Sequence, residues 1–135
     1  MATKVTKTNA ELLELVRALN MIPAEKGSKT EAKFKKIAEK IKPLFESYNE
    51  KREDIRLDHA HTESNGVLDL NEKGEYKFTK DGIKAMAKDM KKLLDETFEF
   101  YQFTFSTEGI EEFKFLAGWV EGIEAEKPQQ EDEQV

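Results

Sequence analysis

The sequence predicts an α+β fold, with four helices, one of them long, packed against a small three-stranded antiparallel sheet. Three observations lead there. Apolar residues recur at three-to-four spacing behind Ser or Thr caps in several segments. A glycine-bearing turn joins two short alternating runs between residues 66 and 78, and an aromatic run at 97–105 switches from helical to alternating period. The 135 residues suit one domain with one core. They divide into an N-terminal arm (1–7), the α+β domain (8–123) and an acidic polar tail (124–135).

The first helix opens at Thr8-Asn-Ala-Glu11, a capping box in which hydroxyl and carboxylate satisfy backbone amides reciprocally. Leu12, Leu15, Val16 and Leu19 then share one face, and Asn20 with the "MIPAEKGS" loop ends it. Ser28-Lys-Thr-Glu31 is a second box at the head of the long helix. Phe34, Ile37, Ala38, Ile41, Leu44, Phe45, Tyr48 and Ile55 carry its stripe to about residue 58, with positions 34, 41, 48 and 55 in heptad register. About thirty residues make a rod of roughly 45 Å. Pro43 cannot donate to the Glu39 carbonyl, so a kink or break is expected there. The stripe reads as intramolecular core rather than an oligomer seam, because three heptads interrupted by proline make a poor coiled coil.

Asn71-Glu-Lys-Gly74 predicts a type I turn with a left-handed Gly74, forming a bulged hairpin. That turn sets Asn71 opposite Glu75, Leu70 opposite Tyr76 and Leu68 opposite Phe78, which gathers four apolar side chains on one face. Thr79 caps a third helix, with Asp81 in its first turn. Ile83, Met86, Ala87, Met90, Leu93 and Leu94 form its apolar stripe, and Lys80, Lys84, Lys88, Lys91 and Lys92 its solvated one.

In the strand predicted at 97–105, Phe98 and Phe100 point one way while Tyr101, Phe103 and Phe105 point the other. Such a strand is either a central strand covered twice, or one covered once by this domain and once by a partner. Ser106 or Thr107 caps a predicted last helix bearing Ile110, Phe113, Leu116, Ala117, Trp119, Val120 and Ile123, with Phe115 off the stripe. Gly109, Gly118 and Gly122 weaken its propensity, so packing must hold it. Aromatic side chains dominate protein interfaces, which makes Tyr101, Phe103, Phe105, Phe115 and Trp119 the candidate protein-contact residues.

Composition narrows the chemistry. There is no cysteine, so disulfides, thiolate catalysis and Cys-ligated zinc are excluded. No glycine-rich phosphate loop or Gly-x-Ser-x-Gly elbow occurs, and the 28 acidic residues single out no catalytic pair. Asp69-x-Asn71-x-x-Gly74 imitates the start of a calcium loop, but Lys73 and Lys80 stand where oxygen ligands are required. Asp58, His59, His61 and Glu63 offer N and O ligands, although a helix C-terminus explains the two histidines without metal. The expectation is a non-enzymatic chain with no metal, cofactor or small-molecule substrate. Without a signal-like or membrane-spanning apolar run it is expected to be soluble and cytoplasmic.

Charge is unevenly placed along a chain of net charge −6. Residues 1–95 hold 20 Lys/Arg against 17 Asp/Glu, a net of +3, and residues 96–135 hold 2 against 11, a net of −9. Lys33, Lys35, Lys36, Lys40 and Lys42 concentrate on the long helix, but Glu31 and Glu39 dilute them, and no nucleic-acid partner is expected.

The order "LLELVRALN", "KIAEKIKPLFESYNEKRED", "DLNEKGEYKF" and "FEFYQFTFSTEGIEEF" resembles a family of short uncharacterised tailed-phage proteins encoded near tail, structural and lysis genes. The likeness spans roughly residues 10 to 123, and the aromatic density after residue 97 and the acidic tail depart from the family pattern. It implies a structural or accessory protein that works by protein contact or homo-oligomerisation in virion assembly, and it carries no catalytic residues. A second expectation is a small regulatory or inhibitory protein acting on a host or phage enzyme, with the acidic C-terminal third imitating nucleic-acid phosphate. A metal-dependent enzyme using Asp58, His59, His61 and Glu63 is the third.

Overall fold

The computed structural model describes residues 2–124; the tail from residue 125 onward lies outside the described residues. Strand β1 (Lys4–Thr8) leads directly into helix α1 (Asn9–Met21). Helix α2 (Lys29–His59), helix α3 (Lys80–Asp95) and strand β2 (Thr97–Tyr101) follow. The strands form a two-stranded antiparallel sheet, with Lys4 opposite Tyr101 and Thr8 opposite Thr97. Residues 4–7, assigned to an arm by sequence, therefore supply half of it.

The local signals resolve in detail. The Thr8 hydroxyl accepts from the Glu11 amide, and the Glu11 carboxylate accepts from the Thr8 amide at 2.9 Å, completing the box. The second box closes differently: Ser28 Oγ accepts from the Glu31 amide, but the Glu31 carboxylate reaches past it to the Gly27 amide. Thr79 caps α3 through the Gly82 amide. Helix α2 runs through Pro43 without a break. Pro43 and Glu39 are both exposed, so water can serve the carbonyl that the proline leaves without a donor.

After α2 the chain returns along it. His59 meets Asp89, and Lys51 meets Glu96 at 3.3 Å. Further back, the Lys40 ammonium donates to the Tyr101 carbonyl at 2.7 Å, and Lys29 and Thr30 bond to Glu108 and Gly109. Leu12, Leu15, Phe34, Ile37, Ile41 and Phe100 form the core with Ile110, Leu116, Trp119, Val120 and Ile123. No residue between 45 and 97 belongs to that cluster or packs against it as a partly buried hydrophobe. The distal half of α2, the turn region and α3 thus project from the core as an arm, within which Tyr48 and Leu93 are buried.

The structure corrects two expectations. Three helices and two strands stand where four and three were predicted. The 66–78 hairpin forms its turn as expected, with Gly74 at φ 80°, the Asn71 amide donating to the Glu75 carbonyl and Leu70 paired with Tyr76. Leu68, however, bridges Thr62 rather than Phe78, and the hairpin sits at the far tip of α2, remote from β2. The length of α2 separates the two sheet fragments.

The predicted last helix is a sequence of turns with one 3-10 segment at Lys114–Leu116. Gly109, Gly118 and Gly122 adopt φ of 88°, 84° and 90°, outside the right-handed helical region. The glycines act as turn residues rather than weak helix formers. The predicted buried set survives, because Ile110, Leu116, Trp119, Val120 and Ile123 still face the core. Backbone bonds from the Phe103 amide to the Trp119 carbonyl and from the Glu121 amide to the Phe103 carbonyl pin the segment beside β2.

One buried polar group joins arm to core. Asn9 Nδ2 donates to the Leu93 carbonyl at 2.8 Å, while its amide donates to the Glu96 carbonyl. Asn9→Ala removes one of two donors to the Leu93 carbonyl, which keeps the Glu96 amide at 3.2 Å, and is expected to lower unfolding free energy by about 0.5–1.5 kcal/mol in urea titration. At Gly118 a β-carbon would collide with the Lys7 ammonium, which lies 4.9 Å from the Trp119 ring centre. Left-handed strain alone costs about 1–2 kcal/mol, so Gly118→Ala is expected to lower the urea midpoint more than Gly74→Ala, whose added carbon meets open space.

Candidate protein-contact surface

The five candidate contact residues do not form one outward face. Strand β2 ends at Tyr101, and the alternation that would have sent Phe103 and Phe105 outward ends with it. Phe103, Phe105 and Phe115 are half-buried against the core, and Trp119 is 3% exposed. Only Tyr101, at 56% exposure, stands free on the outer side of the sheet, beside Thr97 and Glu99. Burying a phenyl ring gains about 1.5–3 kcal/mol. A chain with thirteen aromatic residues and a modest core uses most of them at home.

The rings interlock. Phe100 meets Trp119 edge-on at 5.0 Å between centres and Phe103 at 5.9 Å, and Phe103 stacks on Phe105 at 5.1 Å. Phe34 of α2 meets Phe113 at 5.3 Å and Phe115 at 6.2 Å. Lysines cover the outer edge of this cluster. The Lys40 ammonium lies 4.5 Å from the Phe100 ring centre and 4.7 Å from that of Phe103, and Lys33 stands 5.8 Å from Phe105. Both ammonium groups also donate to returning backbone carbonyls, Lys40 to Tyr101 and Lys33 to Glu108. These α2 lysines are therefore internal struts. Sequence alone placed them on a solvated face, because their acceptors lie more than sixty residues away.

Apolar side chains are exposed elsewhere. Leu57, Val67, Leu70 and Ile83 each expose about half their surface, and all four belong to the tip of the arm. A second apolar feature is an open groove of about 320 Å³ between α1 and α2, lined by Val16, Leu19, Ala38, Ile41 and Phe45. The amphipathic pattern of α3 could have signalled the arm, since its stripe has too few partners in the adjoining sequence to cover it.

The histidines find carboxylates rather than one another. His59 Nε2 lies 2.7 Å from Asp89 Oδ2, and a carboxylate can only accept, so the ring nitrogen donates. His61 Nδ1 lies 3.1 Å from Asp69 Oδ2, whose other oxygen is 3.6 Å from Lys77 Nζ. Asp58 and Glu63 join neither pair, and among the described residues no group of three or more potential ligands converges. The pairs act as clamps: the first ties the end of α2 to α3, and the second ties the turn region to itself. No helix among the described residues is long and apolar enough to cross a membrane.

The hydrogen bond from His59 holds the Asp89 carboxyl below the ordinary aspartate range, and the one from Lys29 does the same for Glu108. A carboxyl depressed on folding contributes stability that is complete above its unfolded pKa and is lost as pH falls through its folded pKa. The urea midpoint is therefore expected to decline below about pH 4. Asp89→Asn should remove part of that decline while leaving the curve flat above it; an unchanged acid limb would show that the clamp does not contribute.

Comparison of the chain with family models, curated proteins and solved structures finds no match.

Proposed function

We propose that this chain is a non-enzymatic structural or accessory component of a tailed phage, acting by protein–protein contact during virion assembly. The observation that carries the reading is the arm. A 31-residue helix and its returning partner project beyond the core, and Leu57, Val67, Leu70 and Ile83 stay exposed at its tip. A monomer gains little from extending so much helix past its own core, whereas a chain that packs against neighbours gains contact area. The open α1–α2 groove and Tyr101 add receptive surface on the core itself. The resemblance to short tailed-phage proteins supplies the setting.

A second reading is favoured by one feature, the net charge of −9 over residues 96–135. A small inhibitor that imitates nucleic-acid phosphate would use that charge to occupy a basic cleft on a host or phage enzyme. Mass spectrometry of purified particles separates the two. The virion reading expects peptides of this chain in stoichiometric amounts after gradient purification. Absence from particles, with recovery of a single enzyme on the tagged chain and loss of that capture at high salt, would establish the inhibitor instead.

A further inference from the structure

The lysines of α3 differ from three of those on α2. Lys29, Lys33 and Lys40 bond to returning chain, whereas Lys80, Lys84, Lys88, Lys91 and Lys92 are all exposed and make no ion pair among the described residues. At about 100° per residue, Lys80, Lys84, Lys88 and Lys91 fall within one arc of roughly 80°, to one side of the apolar stripe. Asp81 and Asp95 bound the stripe at its ends, and Asp89 turns aside to His59. The result is a cationic band roughly 17 Å long on the arm.

We propose that this band is the docking surface for the acidic C-terminal segment, residues 124–135, of a second copy of this chain. The proposal rests on the protein-contact reading above and names the partner. Charge complementarity is the first argument: that segment holds Glu124, Glu126, Glu131, Asp132 and Glu133 against Lys127 alone. Reach is the second. The chain leaves the core at Ile123, where Gly122 lies against Thr107, close to the Gly109–Thr30 contact at the start of α2. The band begins at the opposite end, where Gly82 abuts the His59 carbonyl. Helix α2 separates these ends by about 45 Å, whereas Glu131–Glu133 lie at most about 25–32 Å of extended chain beyond Glu124. A chain's own acidic triplet therefore reaches at most the Lys91 end of its band, and only when fully extended, while a neighbour's is free to engage the whole of it. Nucleic acid fits less well, because α3 has no aromatic residue for bases to stack on and the acidic C-terminal third would repel a polyanion.

Each copy then offers one cationic band and one acidic segment on different parts of its surface, a head-to-tail arrangement that extends by repetition. Sedimentation velocity of the full chain tests it. Reversible, concentration-dependent association is expected at about 0.05 M salt, weakened about tenfold or more at about 0.5 M. K84E/K88E/K91E and E131K/D132K/E133K should each be monomeric, with unchanged circular dichroism and melting. An equimolar mixture of the two should recover association, since between unlike copies both the native pair and the charge-reversed pair are complementary. A wild-type chain that is monomeric throughout, or association indifferent to K84E/K88E/K91E, overturns the proposal. So does a triple variant that loses binding to a labelled duplex oligonucleotide while self-association survives. A monomer found in purified particles would sink this inference alone, and an associating chain absent from particles would sink only the virion reading.

Discussion

The uneven apolar stripe of α2 is the constraint from which the rest of the structure follows. Phe34, Ile37 and Ile41 are buried in its first half, and beyond Tyr48 the helix offers only Ile55 and the exposed Leu57. A core can form only where the stripe is dense, so α1, β2 and the turns after residue 103 gather around residues 34–41. The remainder of the helix must be held by other means. Asn9 to the Leu93 carbonyl, Lys51 to Glu96 and His59 to Asp89 supply directional bonds along the arm where burial is sparse. Exposed ion pairs contribute little against the burial that holds the core, so the arm is expected to open at lower free energy than the core.

The aromatic residues show how a limited core changes the use of a sequence pattern. An alternating run of rings reads as a two-faced strand awaiting a partner. The chain ends the strand after five residues and folds Phe103 back onto Phe100, with Phe105 stacked on Phe103. The lysine stems of α2 then cover what a partner would have covered. The apolar side chains left exposed consequently include Leu57, Val67, Leu70 and Ile83 at the tip of the arm rather than the aromatic segment.

Lysine thus has two roles in one molecule. Lys33 and Lys40 of α2 donate to carbonyls of returning chain and lie over phenyl rings, a geometry in which their charge is engaged and their stems pack. On α3 the same residue type is unengaged, which leaves a cationic band facing outward in a chain whose overall charge is negative. This division arises because β2 and the segment after it pass over the first half of α2, while no element among the described residues covers the outer face of α3.

Sequence alone determined the features governed by a few neighbouring residues. The caps at Thr8, Ser28 and Thr79, the course of α2, the left-handed turn at Gly74 and the identity of the buried residues between 110 and 123 were all legible, because each depends on local hydrogen bonds or on side-chain hydrophobicity. Tertiary structure decided the pairing of β1 with β2, across more than ninety residues, and the separation of the hairpin from that sheet. It also decided that Gly109, Gly118 and Gly122 turn the chain instead of thinning a helix, and that His59 and His61 meet Asp89 and Asp69. The physical reason is that apolar spacing reports which residues leave water, whereas the partners they meet depend on where a rigid helix of about 45 Å carries the chain before it turns back.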